Sequence, residues 1–237
     1  MFRVIDTPAY RDAIRESSGD ARLADEIVPL SFTTVPELER IADEMRLKPS
    51  ERFIELACGL GGSGLWVAAK TGAFLTGIDF SAEAIRQASA RAEALGLHGR
   101  AQFAVADMAQ TGLPDSAFHG LMSIDAIPFV DATTVTAEIA RLLRPGGNAV
   151  LTAFEAEAPR RPTVVPDYRP YFEDAGLIVR AHEEIANWEA RHYSFYAAIL
   201  ARADRLRAEM GEMAEVLLEE AASPPPNRRV FIVATKP

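Results

Sequence analysis

The sequence predicts a doubly wound α/β sandwich, a mostly parallel sheet with helices on both faces. Three observations predict it. Short apolar runs alternate with helical patterns across residues 51–155, a glycine cluster separates the first run from the first helix, and carboxylates recur at the ends of successive runs.

Residues 1–50 read as helices with short breaks. Arg52–Ala57 is a strand that runs into the cluster Gly59-Leu60-Gly61-Gly62-Ser63-Gly64, and Leu65–Ala69 opens a helix. Ala73–Phe80 is the second strand. Ser81 caps the helix that follows, whose apolar residues Ile85, Ala88, Ala92 and Leu95 share one face, and Gly96 stops it. Ala101–Ala106 and Gly120–Ile124 are the third and fourth strands. Val135, Ile139, Leu142 and Leu143 mark another amphipathic helix. Arg144-Pro145-Gly146-Gly147 reads as a turn, and Asn148–Phe154 as the fifth strand.

A stripe of Trp188, His192, Tyr196, Ile199, Ala203, Leu206, Met210, Met213 and Leu217 predicts one long helix, or two broken near Gly211. A Pro-rich break at 223–227 then precedes a last strand, Arg229–Thr235. The expected division is an N-terminal helical cover (1–50), a ligand-binding core (51–184 and 228–237) and a helical insertion (185–227).

Composition narrows the function. The 237 residues suffice for a sizeable core, and 34 acids against 25 bases leave a net charge of −9, which argues against a nucleic-acid surface. No apolar run is long enough for a membrane span, and the start lacks the apolar stretch of a secretion signal. The single cysteine, Cys58, points to a reducing cytoplasm, and no His/Cys spacing suggests a metal. A soluble globule acting on something small is expected.

The glycine loop supplies the first chemical clue. Bare backbone lets a ligand lie against the turn where a side chain would clash. Asp79 ends the next strand twenty residues after Gly59, the spacing of a carboxylate that grips a ribose diol. Nicotinamide-dependent oxidoreductases and S-adenosylmethionine-dependent transferases both fit that pattern. Glu55, inside the first strand, suits a cationic ligand and would repel a pyrophosphate. Asp107, at the close of the third strand with Met108 beside it, suits an adenine amine. Three structural readings compete: Glu55 paired with Arg52 or Arg100, Asp79 as a helix-start acid, and Asp107 as a turn cap.

The runs FIELACGLGGSG, TGIDFSAEAI, FAVADM and EIARLLRPGGNAVLTAF together resemble the class I S-adenosylmethionine-dependent methyltransferases, most of all the bacterial small-molecule enzymes of secondary metabolism. The resemblance spans roughly residues 30–155 and implies a Rossmann-like, seven-stranded sheet. It also implies S-adenosyl-L-methionine as cofactor, S-adenosyl-L-homocysteine as product, and a small-molecule acceptor methylated on O, N or C. Carried over by position, Glu55, Ala57, Cys58, Gly59 and Gly61 wrap the methionine part. Asp79 and Phe80 hold ribose and flank adenine, Asp107 and Met108 recognise adenine, and Ser123 to Asp125 lie near the methyl group. Ser31-Phe32-Thr33 closes over the cofactor. Ala57 departs from the family's usual glycine, Glu55 replaces the commoner Asp, and His119 stands in place of a frequent Asp.

The resemblance carries no universal catalytic residue, so acceptor-side groups come from the variable parts. His192 and Tyr193 are the candidates for catalysis, and Tyr10 and Tyr196 for acceptor contact. The 185–222 helices also offer a face for pairing two copies. A nicotinamide oxidoreductase and a cofactor-free scaffold are the competing readings.

Overall fold

A computed structural model describes residues 6–159, 161–222 and 228–237. Its centre is a seven-stranded sheet of β1 (Arg52–Leu56), β2 (Phe74–Asp79), β3 (Ala101–Val105), β4 (Phe118–Ile124), β5 (Leu143–Glu155), β6 (Ile178–Glu184) and β7 (Arg228–Thr235). The spatial order is β3-β2-β1-β4-β5-β7-β6. The first five strands are mutually parallel, and β7 runs antiparallel between β5 and β6. The order reverses at β1, where the connection to β2 leaves in one direction and β4 lies on the other side. In open α/β sheets, ligands bind in the crevice at such a reversal, outside the carboxyl ends of the strands.

The helices are α1 (Pro8–Ser18), α2 (Val35–Met45), α3 (Gly62–Thr71), α4 (Ala82–Ala94), α5 (Ala132–Leu142), α6 (Arg169–Asp174), α7 (Trp188–Leu200), α8 (Ala203–Met210) and α9 (Met213–Ala221). Strand alternation distributes them. Ile54 and Leu56 pack with Val135, Ile139, Leu142 and Phe172, the face covered by α5 and α6. Phe53 packs with Leu38, Leu65 and Val67 on the opposite face, beneath α2 and α3. Both faces are dry, which explains why the strands read as continuous apolar runs.

Local chemistry sets the helix ends. The Ser81 hydroxyl accepts from Ala84 N at 3.2 Å, and Gly96 has φ +69° just past the end of α4, as the sequence predicts. Thr7 and Thr34 cap α1 and α2 in the same way, each followed by a proline in the first turn.

Three expectations change. The Arg144–Gly147 turn lies inside β5, as an excursion: Leu143 pairs with Phe118, and the next partner of β4 is Asn148, opposite Gly120. The helical stripe is interrupted twice, at 201–202 as well as at 211–212, giving three helices. Helix α6 and strand β6 between 169 and 184 are present where the periodicity showed no element. The Pro-rich break at 223–227 falls outside the described residues.

Candidate functional site

At the carboxyl ends of β1, β2 and β4 opens a cavity of about 850 Å³. Its floor is the glycine loop. Gly59 has φ +51° and Gly61 φ +74°; Ala57, with φ +55°, takes the same left-handed backbone in spite of its methyl group. Gly59, Ala57 and Cys58 line the cavity, whereas Gly61 does not. The need for glycine at 61 is packing, because a Cβ there would lie 2.9 Å from the Ala88 Cβ and 3.0 Å from the Phe103 ring. At Gly62 a Cβ would fall 1.7 Å from the Ile27 carbonyl oxygen, so the loop also seats the N-terminal segment. Arg91 pins that segment from α4, donating to Ile27 O at 2.8 Å and pairing with Asp6 at 2.8 Å.

The three predicted acids converge on this cavity. Glu55 is buried, and its Oε2 accepts from Gly64 N at 3.1 Å. Neither Arg52 nor Arg100 is among its contacts; Arg100 donates to Gly72 O instead. Burial, reinforced by the Asp79 charge and opposed by the Gly64 N–H, pushes the Glu55 carboxyl up to about 8. Asp79 accepts from Gly59 N and from Ser81 N, both at 2.9 Å, so it ties the loop to the start of α4 while facing the cavity. Asp107 is exposed on the rim and accepts from Ala109 N at 2.9 Å. Its turn-capping contact and its place on the cavity wall coexist.

Phe80, Met108 and Phe32 also reach the wall, Phe80 with 66% of its surface exposed. Asp125, with φ +56°, lines the cavity, but its carboxylate is engaged by Arg229 Nε at 2.8 Å. Arg229 is fully buried and pairs at 2.9 Å with Glu37 of α2 as well. Burial works against the Arg229 charge, and its two carboxylates outweigh that and hold it above the ordinary value. Ser123 stays outside the cavity: its fully buried hydroxyl donates to Leu56 O at 3.1 Å, joining two strands. Burial, with the Glu55 and Asp79 charges, raises the Cys58 thiol well above its usual range, leaving it protonated and poorly suited to attack.

The acceptor-side expectations divide. Tyr10 and Tyr196 line the cavity; His192 and Tyr193 do not. His192 is buried among Phe32, Trp188 and Tyr196, and burial pulls its imidazole down. It is a packed ring one turn away from Tyr196. Tyr193 points outward, 60% exposed. The Tyr10 hydroxyl donates to Pro29 O at 2.9 Å.

Sequence reasoning missed much of this wall, including Leu30, Phe129, Arg161, Phe195, Val216 and Glu220. Glu220 shares this wall with Tyr196, and its Oε1 lies 3.7 Å from Arg161. Burial raises the Glu220 carboxyl, opposed by Arg161 and by the nearby Tyr196 hydroxyl. A signal existed. Glu220 continues the helical spacing of Met213 and Leu217, an acid on an apolar face.

The only three-ligand cluster found among the described residues is Glu155, Asp167 and His182. It lies off the cavity, and arginines engage its carboxylates: Arg228 with Glu155 at 2.7 Å and Arg169 with Asp167 at 2.6 Å. His182, which reads as a surface residue in the sequence, is nearly buried and 2.8 Å from Glu155.

Comparison with known proteins agrees with this geometry. Residues 53–147, from β1 into β5, match the methyltransferase domain family. The 27-O-demethylrifamycin SV methyltransferase of Amycolatopsis mediterranei is 26% identical over 183 residues, 69% of this chain and 67% of the relative. Phosphoethanolamine N-methyltransferase 3 of Arabidopsis thaliana is 29% identical over 58% of this chain, and the match takes in only 27% of that longer protein. Among solved structures, the [4+2]-cyclase SpnF superposes with a TM-score of 0.76 at 21% identity, covering 84% of this chain and 79% of that one. The geranyl diphosphate C-methyltransferase of Streptomyces coelicolor A3(2) gives 0.67 at 14% identity, covering 98% and 99%.

The residues present fit S-adenosylmethionine. Glu55 offers a buried carboxylate with no ion-pair partner among the described residues, as an ammonium would require. Asp79 and the left-handed Gly59 offer a diol acceptor beside bare backbone. A pyrophosphate would meet the Glu55 and Asp79 carboxylates there. The chain therefore carries a class I, S-adenosylmethionine-dependent methyltransferase domain.

Proposed function

We propose that this class I S-adenosylmethionine-dependent methyltransferase alkylates a neutral, largely apolar small molecule, a natural product in the manner of its rifamycin-directed relative. The observation that carries the acceptor reading is the charge balance of the cavity. Glu55, Asp79, Asp107, Asp125 and Glu220 line it, and Arg161 is the one cation among the described lining residues. At its end of the cavity a phosphorylated acceptor, such as the phosphoethanolamine or geranyl diphosphate named for other relatives, would find Asp125 and Glu220 with one guanidinium beside Glu220.

In this reading Glu55 pairs with the cofactor's ammonium, Asp79 takes the ribose hydroxyls, and Asp107 with Met108 and Phe80 holds adenine. When bound, the cofactor supplies an activated methyl on a sulfonium. The chain's own contribution is alignment and exclusion of water, and positioning of this kind is worth about 7–11 kcal/mol. Phe32, Leu30 and Tyr10 from the N-terminal segment, with Phe195, Met210, Met213 and Leu217 from α7–α9, wall the acceptor off from solvent. Residues 1–50 and 185–227 thus act as the acceptor-side cover of the 51–184 and 228–237 core. Asp125, held by Arg229, faces the reacting end as an ion-paired carboxylate. The single buried cysteine and the absence, among the described residues, of a helix long and apolar enough to cross a membrane suit a cytoplasmic enzyme.

The test is transfer of labelled methyl from S-adenosylmethionine to a panel of neutral, amine-bearing and phosphorylated terpenoid and polyketide acceptors. Label entering neutral, solvent-extractable products supports the reading. Label entering only phosphorylated acceptors would reverse it.

A further inference from the structure

We infer that Glu220, Tyr196 and Arg161 form a subsite that recognises a hydroxyl group on a neutral apolar acceptor; this deepens the methyltransferase reading and rests on it. The three side chains come from separate segments, α7, α9 and the loop after β5, and meet on the cavity wall. Tyr196 and Glu220 share one stretch of the cavity lining, and Arg161 lies 3.7 Å from Glu220 Oε1 while stacking 4.3 Å above the Phe129 ring. The cavity wall also carries Phe195, Met213, Val216 and Leu217.

Charge and hydrogen-bond capacity select the ligand. One carboxylate and one guanidinium cancel, so an ammonium arriving here gains no net field and still loses its hydration. A phosphate meets a guanidinium that already stacks on Phe129 and has the Glu220 carboxylate 3.7 Å away. A hydroxyl loses little on entry and finds an acceptor. A carboxylate has about four lone-pair sites, and 3.7 Å is too long for Arg161 to claim one fully. The Glu220 side chain keeps 46% of its surface accessible, so the remaining sites face open space. The ligand is therefore an apolar body that carries at least one hydroxyl.

The experiment uses the full chain loaded with S-adenosylhomocysteine and four probes of one skeleton: geraniol, geranyl methyl ether, geranylamine and geranyl phosphate, titrated calorimetrically. Geraniol is expected to bind about tenfold tighter than its ether, as one hydrogen bond to a charged group allows. Geranylamine is expected to bind no tighter than geraniol, and geranyl phosphate weakest. Glu220→Leu should bring geraniol to the level of the ether with affinity for S-adenosylhomocysteine unchanged. Arg161→Met, which leaves the carboxylate uncompensated, should make geranylamine the tightest of the four. The subsite is overturned if geraniol shows no measurable binding, if its advantage survives Glu220→Leu, or if the amine or phosphate binds tightest to the unaltered chain. Failure to bind S-adenosylhomocysteine at all is a different result, which removes the methyltransferase reading and the subsite with it.

Discussion

The two ends of the cavity are built by different means. The cofactor end rests on strand tips and one glycine loop, where Glu55, Asp79 and Gly59 are fixed by backbone hydrogen bonds close in sequence. The end proposed for the acceptor is assembled from α1, the segment around Leu30, α7–α9 and the loop that carries Arg161, drawn from across the length of the chain. Backbone-determined geometry leaves a spacing rule in the sequence; side chains gathered from distant helices leave almost none. The difference teaches where specificity can vary without disturbing the sheet.

The largest expected effect lies at the seam between the two ends. Arg229 joins Asp125 of the core to Glu37 of α2. Arg229→Met leaves the buried Asp125 carboxylate uncompensated, while Glu37 keeps Arg191 at 2.7 Å, and should cost about 3–5 kcal/mol in urea unfolding. Adding Asp125→Asn should restore part of that loss. A cost below about 0.5 kcal/mol would mean that the seam does not couple the two ends.

Next comes the cofactor end. Glu55→Gln should weaken S-adenosylhomocysteine binding by about 1.5–3 kcal/mol, the worth of a charged hydrogen bond. Its pH dependence is a sharper probe. The empty site holds the Glu55 carboxyl at about 8, whereas an ammonium needs the carboxylate, so affinity should rise with pH until about pH 8. Stability of the empty protein has the opposite sign. The folded value lies above the ordinary 4.5, so this contribution is fully present below pH 4.5 and is lost as pH rises through about 8. Glu55→Gln should flatten that slope in thermal melts of the cofactor-free protein. Asp79→Ala should weaken cofactor binding by about 1–3 kcal/mol, since it also releases the Gly59 and Ser81 amides.

The smallest effect is expected at the acceptor end's outer surface. Tyr193→Phe should change stability by less than about 0.5 kcal/mol and leave turnover unchanged, because that ring lies outside the cavity. A clear loss of turnover would show that α7 rotates when the site closes.

Legibility follows the same division. The strand–loop–helix pattern, the twenty-residue step from Gly59 to Asp79 and the Ser81 cap were readable because each is a local backbone requirement. Ser123 and Gly61 were misplaced because a residue at a strand end or in a loop can face inward. Ser123 bridges to Leu56, and Gly61 makes room for Ala88 and Phe103. His192 attracted attention as an imidazole on a helical stripe, yet helical phase alone does not say which part of a stripe packs and which opens on a cavity. Arg229 carried a signal, a cation at the start of an otherwise apolar strand, but its partners Glu37 and Asp125 are distant in the chain.

The most direct test is parallel calorimetric titration of the unaltered chain with S-adenosylhomocysteine and with NADH. The cavity described here should bind the thioether and release heat at one site per chain, and should leave NADH unbound because its pyrophosphate meets Glu55 and Asp79. Binding of NADH with no response to S-adenosylhomocysteine would contradict the account.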